Sequence, residues 1–210
     1  MSQNVTLILI IITAASSIYG WNNPDVQNKW MFNPYSVYHG KQYYRFLTSG
    51  FIHSNTMHLI FNMIALYFFG GVIERIYEIT FGIIGIVFYV ITYIAGIIVA
   101  NLKTYFNHRN SSFYNSLGAS GGVASVLFAS ILYRPTVGIC IYFVICIPAF
   151  ILGVIYLIYS FYSGKRMADD INHDAHLFGA LFGIVFTILL RPTVIISFIQ
   201  QIIEFDLSSF

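Results

Sequence analysis

Charge is what this chain has least of. Only 10 Lys and Arg and 8 Asp and Glu occur among 210 residues, so charged side chains make up 9%, where soluble domains carry roughly a quarter. A water-soluble fold needs a polar exterior, and too few polar side chains exist here to build one. The 58% of hydrophobic residues are gathered in long runs, and the class that fits is an integral membrane protein. A net charge of +2 spread over short loops says nothing useful about nucleic acid, and no nucleic-acid partner is expected. Cysteine is scarce too: Cys140 and Cys146 stand alone, both in an apolar run. On a helix, six residues separate two side chains by ~9 Å of rise, too far for a disulfide, so both are expected as buried apolar thiols. No CxxC or HExxH pattern is present, and no low-complexity linker divides the chain, so a single domain is expected.

What is there is a series of apolar runs. Residues 4–20, 57–77, 79–102, 117–133, 136–162 and 172–190 approach or exceed the length that crosses a bilayer, which predicts an all-α, polytopic bundle of six transmembrane helices. The first run also has the outline of a signal peptide, with Ala14-Ala15-Ser16-Ser17 near its end, but it lacks a positive start and is read as a span. Residues 21–55 carry Trp21, Trp30, Tyr43 and Tyr44 and are broken by Pro24 and Pro34, the pattern of a long connection in the headgroup layer. A tight charged turn with Glu74, Arg75 and Glu78 is expected between the second and third spans, and polar loops over 103–116 and 163–170. Arg134-Pro135 should end the fourth span, and Pro148 should kink the fifth, making it the mobile wall.

A lone hydroxyl, Ser120, stands among glycines at the mouth of the fourth run. Counting back from Arg134, Gly121 to Tyr133 rise ~20 Å, which leaves Ser120 roughly 10 Å inside a ~30 Å slab. Leu177 to Leu190 rise ~21 Å from the surface at Arg191, so His176 reaches the same depth. Measured from Glu74-Arg75, His58 and Asn62 lie ~23 Å and ~17 Å in and bracket the serine. Alternating passage starts spans two, four and six on one side, so a single recess can hold all four residues. Gly118 and Gly122 on one run, and Ala175, Gly179 and Gly183 on another, are stripes of small residues that let two helices approach closely.

Such a set can attack a carbonyl. Ser120 would be the nucleophile and His176 its base, while the Ser120 amide at a helix start, His58 and Asn62 would stabilise the oxyanion. Each residue alone has an ordinary explanation: membrane serines bond back to the i−4 carbonyl, and a lone His or Asn can tie two helices together. Their common depth and side is what favours chemistry. A zinc site from His53 and His58 with His173 and His176 is the competing reading, weakened by the lack of a second-ligand motif, and no metal is expected.

The strings His53-x4-His58-Leu59-x2-Asn62, Gly70-Gly71-x2-Glu74, Gly118-Ala119-Ser120-Gly121 and Ala175-His176-x2-Gly179-x3-Gly183, in this order within residues 43–190, resemble the rhomboid intramembrane serine proteases. The resemblance implies a Ser120–His176 dyad, an oxyanion site of His58, Asn62 and the Ser120 amide, and no cofactor. It implies supporting roles for Gly118, Gly121, Gly179 and Gly183, for Arg45 in the first loop and for Glu74. Substrates would be the transmembrane segments of other membrane proteins, met within the lipid. One departure stands out: many members place an aromatic ring four residues after the serine, against the catalytic imidazole, and this chain has Ala124. The relatives imply cytoplasmic termini and an active site open to the opposite side, whereas the positive-inside count of Arg75, Arg134 and Arg191 against Lys103, Arg109, Lys165 and Arg166 favours the reverse. The alternatives are a non-catalytic rhomboid-like protein that binds membrane clients and, more remotely, a channel or carrier.

Overall fold

In lipid a backbone must satisfy its own N–H and C=O groups, and this chain does so almost throughout as helix. The computed structural model describes residues 4–141, 145–166 and 172–206. Helix α1 (Asn4–Asn22) leads into three short helices, α2 (Pro24–Trp30), α3 (Pro34–Gly40) and α4 (Arg45–Thr48). Pro24 and Pro34 sit in the first turns of α2 and α3, where a missing N–H costs nothing. The connection over 21–55 is therefore a folded strap.

A single rod follows, α5 (Thr56–Ala65) joined through a π turn (Leu66–Gly70) to α6 (Gly71–Phe81), and then α7 (Ile83–His108). The turn between these rods falls at Gly82, with φ 67°, and not at Glu74, Arg75 and Glu78, which lie inside α6. Charged side chains do not break a helix, whereas a glycine free to adopt positive φ does. Helix α7 likewise runs six residues past Leu102 into the expected loop.

Helix α8 (Ser120–Tyr133) begins three residues later than expected, because Gly118 takes φ 130° and keeps the preceding chain extended. The fifth run departs most. It opens as a hairpin of β1 (Gly138–Ile141) and β2 (Ile145–Pro148), and only then forms α9 (Ala149–Arg166). Pro148 thus closes a strand and kinks no helix. Register places Cys140 opposite Cys146, and the two form a disulfide, overturning the expectation of two separate thiols. Helical rise kept them apart in the sequence reading, but across an antiparallel pair they are direct neighbours. Of the loop expected over 163–170, α9 takes the first part, and residues 167–170 lie outside the described residues. Helices α10 (His173–Leu190) and α11 (Val194–Ile203) complete the chain.

The result is an all-α, polytopic membrane fold with one small hairpin. Among the described residues, four segments are long and apolar enough to cross a membrane: Asn4–Asn22, Thr56–Phe81, Ile83–His108 and His173–Leu190. Helix α8, at 14 residues, and the apolar part of α9 are shorter than that.

Helix α8 is buried from Gly121 to Leu132 apart from Leu127, enclosed by α7 and α10. Glycine makes this enclosure possible. A Cβ on Gly179 would strike the backbone of Gly121, and one on Gly183 that of Ser125, so the expected close approach of these helices is present. Its other half is different: Gly122 packs on the Tyr93 carbonyl of α7, and Gly118 lies outside the helix beneath the His58 ring. Where the three helices meet, the Ser125 hydroxyl is held at 2.7 Å from the Gly179 carbonyl and 3.0 Å from that of Gly121. Buried Tyr77, Tyr89 and Tyr93 fill the far half of the bundle, with the Tyr77 hydroxyl 2.9 Å from that of Thr187.

Candidate active site

Leading an extended chain to Ser120 within the packed helices requires partners for every buried amide and carbonyl on the way. The strap supplies them. Phe32 and Ser116 exchange backbone hydrogen bonds of 2.8 and 2.9 Å, and the Asn33 side-chain amide donates to the Ser112 and Tyr114 carbonyls and to Asn115 Oδ1. Nearer the serine along the same extended stretch, the Gly118 amide donates to the Ser49 carbonyl at 2.9 Å. The last amide before Ser120, that of Ala119, donates to Nε2 of His53 at 3.2 Å.

That contact assigns the His53 tautomer. Nε2 accepts, so Nδ1 carries the hydrogen and donates to the Ser17 hydroxyl 3.0 Å away, which passes its own hydrogen to the Thr13 carbonyl. The Trp21 indole donates to the His53 carbonyl at 2.7 Å. His53 is fully enclosed, and burial, with the nearby His58 ring adding to it, pushes its pKa down to about 3. It is a neutral structural link from α1 to the serine loop.

Arg45 braces the strap from within. Its Nη1 donates to the Asn28 and Met31 carbonyls and its Nε to Gln42, at 2.6–2.8 Å, with only 8% of the residue exposed. Glu74 works at the other end of the bundle, where its carboxylate accepts from the Val5 and Thr6 amides and the Thr6 hydroxyl. A carboxylate at unpaired helical N–H groups is favoured by the helix dipole, so Glu74 caps α1 from another helix.

Ser120 is the first residue of α8, and its amide belongs to the turn whose N–H groups have no intrahelical acceptor. With His58, Asn62 and His176 it lines one cavity of about 860 Å³. The four residues counted to a common depth are thus brought to one recess, on α8, α5 and α10. His58 Nδ1 lies 3.2 Å from the Ser54 hydroxyl, which leaves its Nε2 edge over Gly118, beside the serine. The Asn62 amide donates to the His58 carbonyl at 2.9 Å and keeps a second hydrogen.

Several residues that shape the recess were not singled out from sequence. Asn55 caps α5 by accepting from the His58 amide, and Asn172 caps α10 by accepting from the Ala175 amide while bonding Thr104 of α7. Both show the helix-start signal of an asparagine ahead of an apolar run, which alone would have found them. Tyr156, on α9, shares the cavity and lies parallel to the His176 ring, a contact with no signature in sequence. Lys103 of α7 pairs with Asp174 of α10 at 2.7 Å.

A family model described as the rhomboid domain matches residues 40–193. A relative from Arabidopsis thaliana, RHOMBOID-like protein 12, mitochondrial, is 28% identical over 198 residues, covering 86% of this chain and 56% of its own length. The chain spans a little over half of that relative.

Proposed function

The chain belongs to the rhomboid family, and on that premise we propose that it is an intramembrane serine endopeptidase, cleaving peptide bonds in or beside the transmembrane segments of other membrane proteins. The observation that carries this reading is the single cavity lined by Ser120, His176, His58 and Asn62. Ser120 Oγ attacks the scissile carbonyl carbon as His176 takes its proton. The oxyanion is met by the Ser120 amide, by Nε2–H of His58 and by the spare hydrogen of Asn62. For His58 to donate there, the Ser54 hydroxyl must give its hydrogen to Nδ1, which the 3.2 Å contact allows. His176 then protonates the leaving amine, and water, activated by the same imidazole, releases the acyl group from Ser120. None of these steps needs a metal or cofactor.

The proposed bundle crosses the membrane six times, with α8 and α9 as its shorter crossings. The length α8 lacks is made up by the extended chain that the strap holds. Both termini lie on the cytoplasmic side and the cavity opens to the other. Helical substrates hide their carbonyls in backbone bonds, so cleavable ones unwind readily near the scissile bond.

Purified protein incubated with a labelled transmembrane substrate tests the reading. Ser120→Ala and His176→Ala should each abolish cleavage, with melting behaviour unchanged. Equal turnover by Ser120→Ala would remove the mechanism. Tight substrate binding by the unmutated protein without any cleavage would instead point to a non-catalytic client binder.

A further inference from the structure

A histidine's χ2 is a broad, shallow torsion, so an imidazole on a cavity wall keeps its direction only if its faces are packed. In this chain the position one turn after Ser120 is Ala124, whose methyl can hold nothing. The space it leaves is filled from another helix. Tyr156 of α9 lies nearly parallel to the His176 ring, with centroids 6.1 Å apart and planes 19° apart, within the offset-stacked range of aromatic pairs. Ala124 and Phe128 belong to the same packed cluster as Tyr156, and the Phe128 ring leans on the tyrosine at 5.6 Å. The His173 ring stands edge-on to His176 at 5.9 Å, and Tyr159 stands edge-on to His173 at 5.2 Å.

We propose that Tyr156 is the positioning residue of His176, a flat face supplied by α9 that holds the imidazole turned toward Ser120. This rests on the protease reading above. The flat ring matters and the hydroxyl does not, because the contact is face to face. The holder also stands on a helix at the edge of the bundle, with Val154, Ile155 and Ile158 of α9 exposed on its outer side, so the set of the imidazole depends on where α9 stands.

Steady-state cleavage of a labelled transmembrane substrate, with kcat and KM taken separately and melting temperature as control, tests the assignment. Tyr156→Leu keeps the bulk but loses the flat face, and should lower kcat roughly 10- to 100-fold with little change in KM, as expected for a misaimed base. Tyr156→Phe should retain kcat to within about twofold. Adding Ala124→Tyr to Tyr156→Ala should recover much of the lost kcat by offering a ring from α8. A Tyr156→Leu protein with undiminished kcat, or one whose loss lies only in KM, would overturn the proposal. Ser120→Ala in parallel separates the two ideas: if it is inactive while Tyr156→Leu cleaves normally, the protease reading stands and the positioning role falls.

Discussion

A histidine with both ring nitrogens engaged has nowhere to put a second proton. His53 gives one nitrogen to the Ala119 amide and the other to Ser17, inside a fully enclosed site. Its folded pKa, lowered to about 3, sits below the ordinary 6.5 of the unfolded chain. Between those values the unfolded state binds a proton that the native state refuses, so stability is full above about pH 6.5 and falls as pH drops toward 3. The loss should be on the order of 3 kcal/mol by about pH 4. Thermal unfolding in detergent from pH 8 to 4 would read it, and His53→Gln should flatten the slope; identical slopes for the two proteins would contradict the link. Sequence distinguishes His53 from His58 poorly, because a depth count gives each residue a height and no direction. Only the strap, folding back over the serine loop, makes one histidine a brace and leaves the other facing the cavity.

At the scale of elements, contact between α8 and α10 sets the distance from Ser120 to His176. The contact was legible beforehand as small residues spaced four apart, since only such residues bring two backbones together in lipid. Any Cβ at Gly183 meets the Ser125 carbonyl, and the helices must separate. Gly183→Ala should therefore cost about 2 kcal/mol and slow reaction of Ser120 with a serine-reactive inhibitor. Ser125→Ala removes one interhelical hydrogen bond without adding bulk, and should cost about 1 kcal/mol with inhibitor labelling retained. Denaturant titration followed by labelling would measure both, and a milder effect for Gly183→Ala than for Ser125→Ala would argue that backbone approach does not govern this pair. The hairpin before α9 was not legible. A run of apolar, β-branched residues satisfies helix and buried strand alike, and periodicity cannot choose between them.

For the whole molecule, the hairpin bears on which compartment the cavity faces. The hairpin lies at the end of α8 away from Ser120, with Cys140 and Cys146 both exposed. Disulfides persist in oxidising compartments, so this bridge joins the positive-inside count in weighing against cytoplasmic placement of that end. One experiment addresses both points. A membrane-impermeant maleimide applied to sealed vesicles of known sidedness should react only after reduction, and, in the orientation proposed, only from the cytoplasmic face. Reaction without reductant would dismiss the bridge, and reaction only from the far face would invert the orientation. Closing so short a loop, the bridge should contribute about 2 kcal/mol, measurable as a fall in melting temperature for Cys140→Ser.

By itself, the sequence determined that this is a multi-span helical membrane protein. It also led to the expectation that Ser120, His176, His58 and Asn62 share one recess, because helical rise converts spacing into height, and the four do line one cavity. Tertiary structure alone decided azimuth and long-range partnership. It turned a loop into a strap that feeds hydrogen bonds to the serine's approach, carried the Glu74 carboxylate to the start of α1, paired two cysteines across a hairpin and set the Tyr156 ring against the His176 imidazole. Those contacts reach far along the chain, 69 positions in the Glu74 cap on Val5 and 82 in the Asn33 bond to Asn115. No local propensity encodes them, since they arise only when packed helices fix which faces meet.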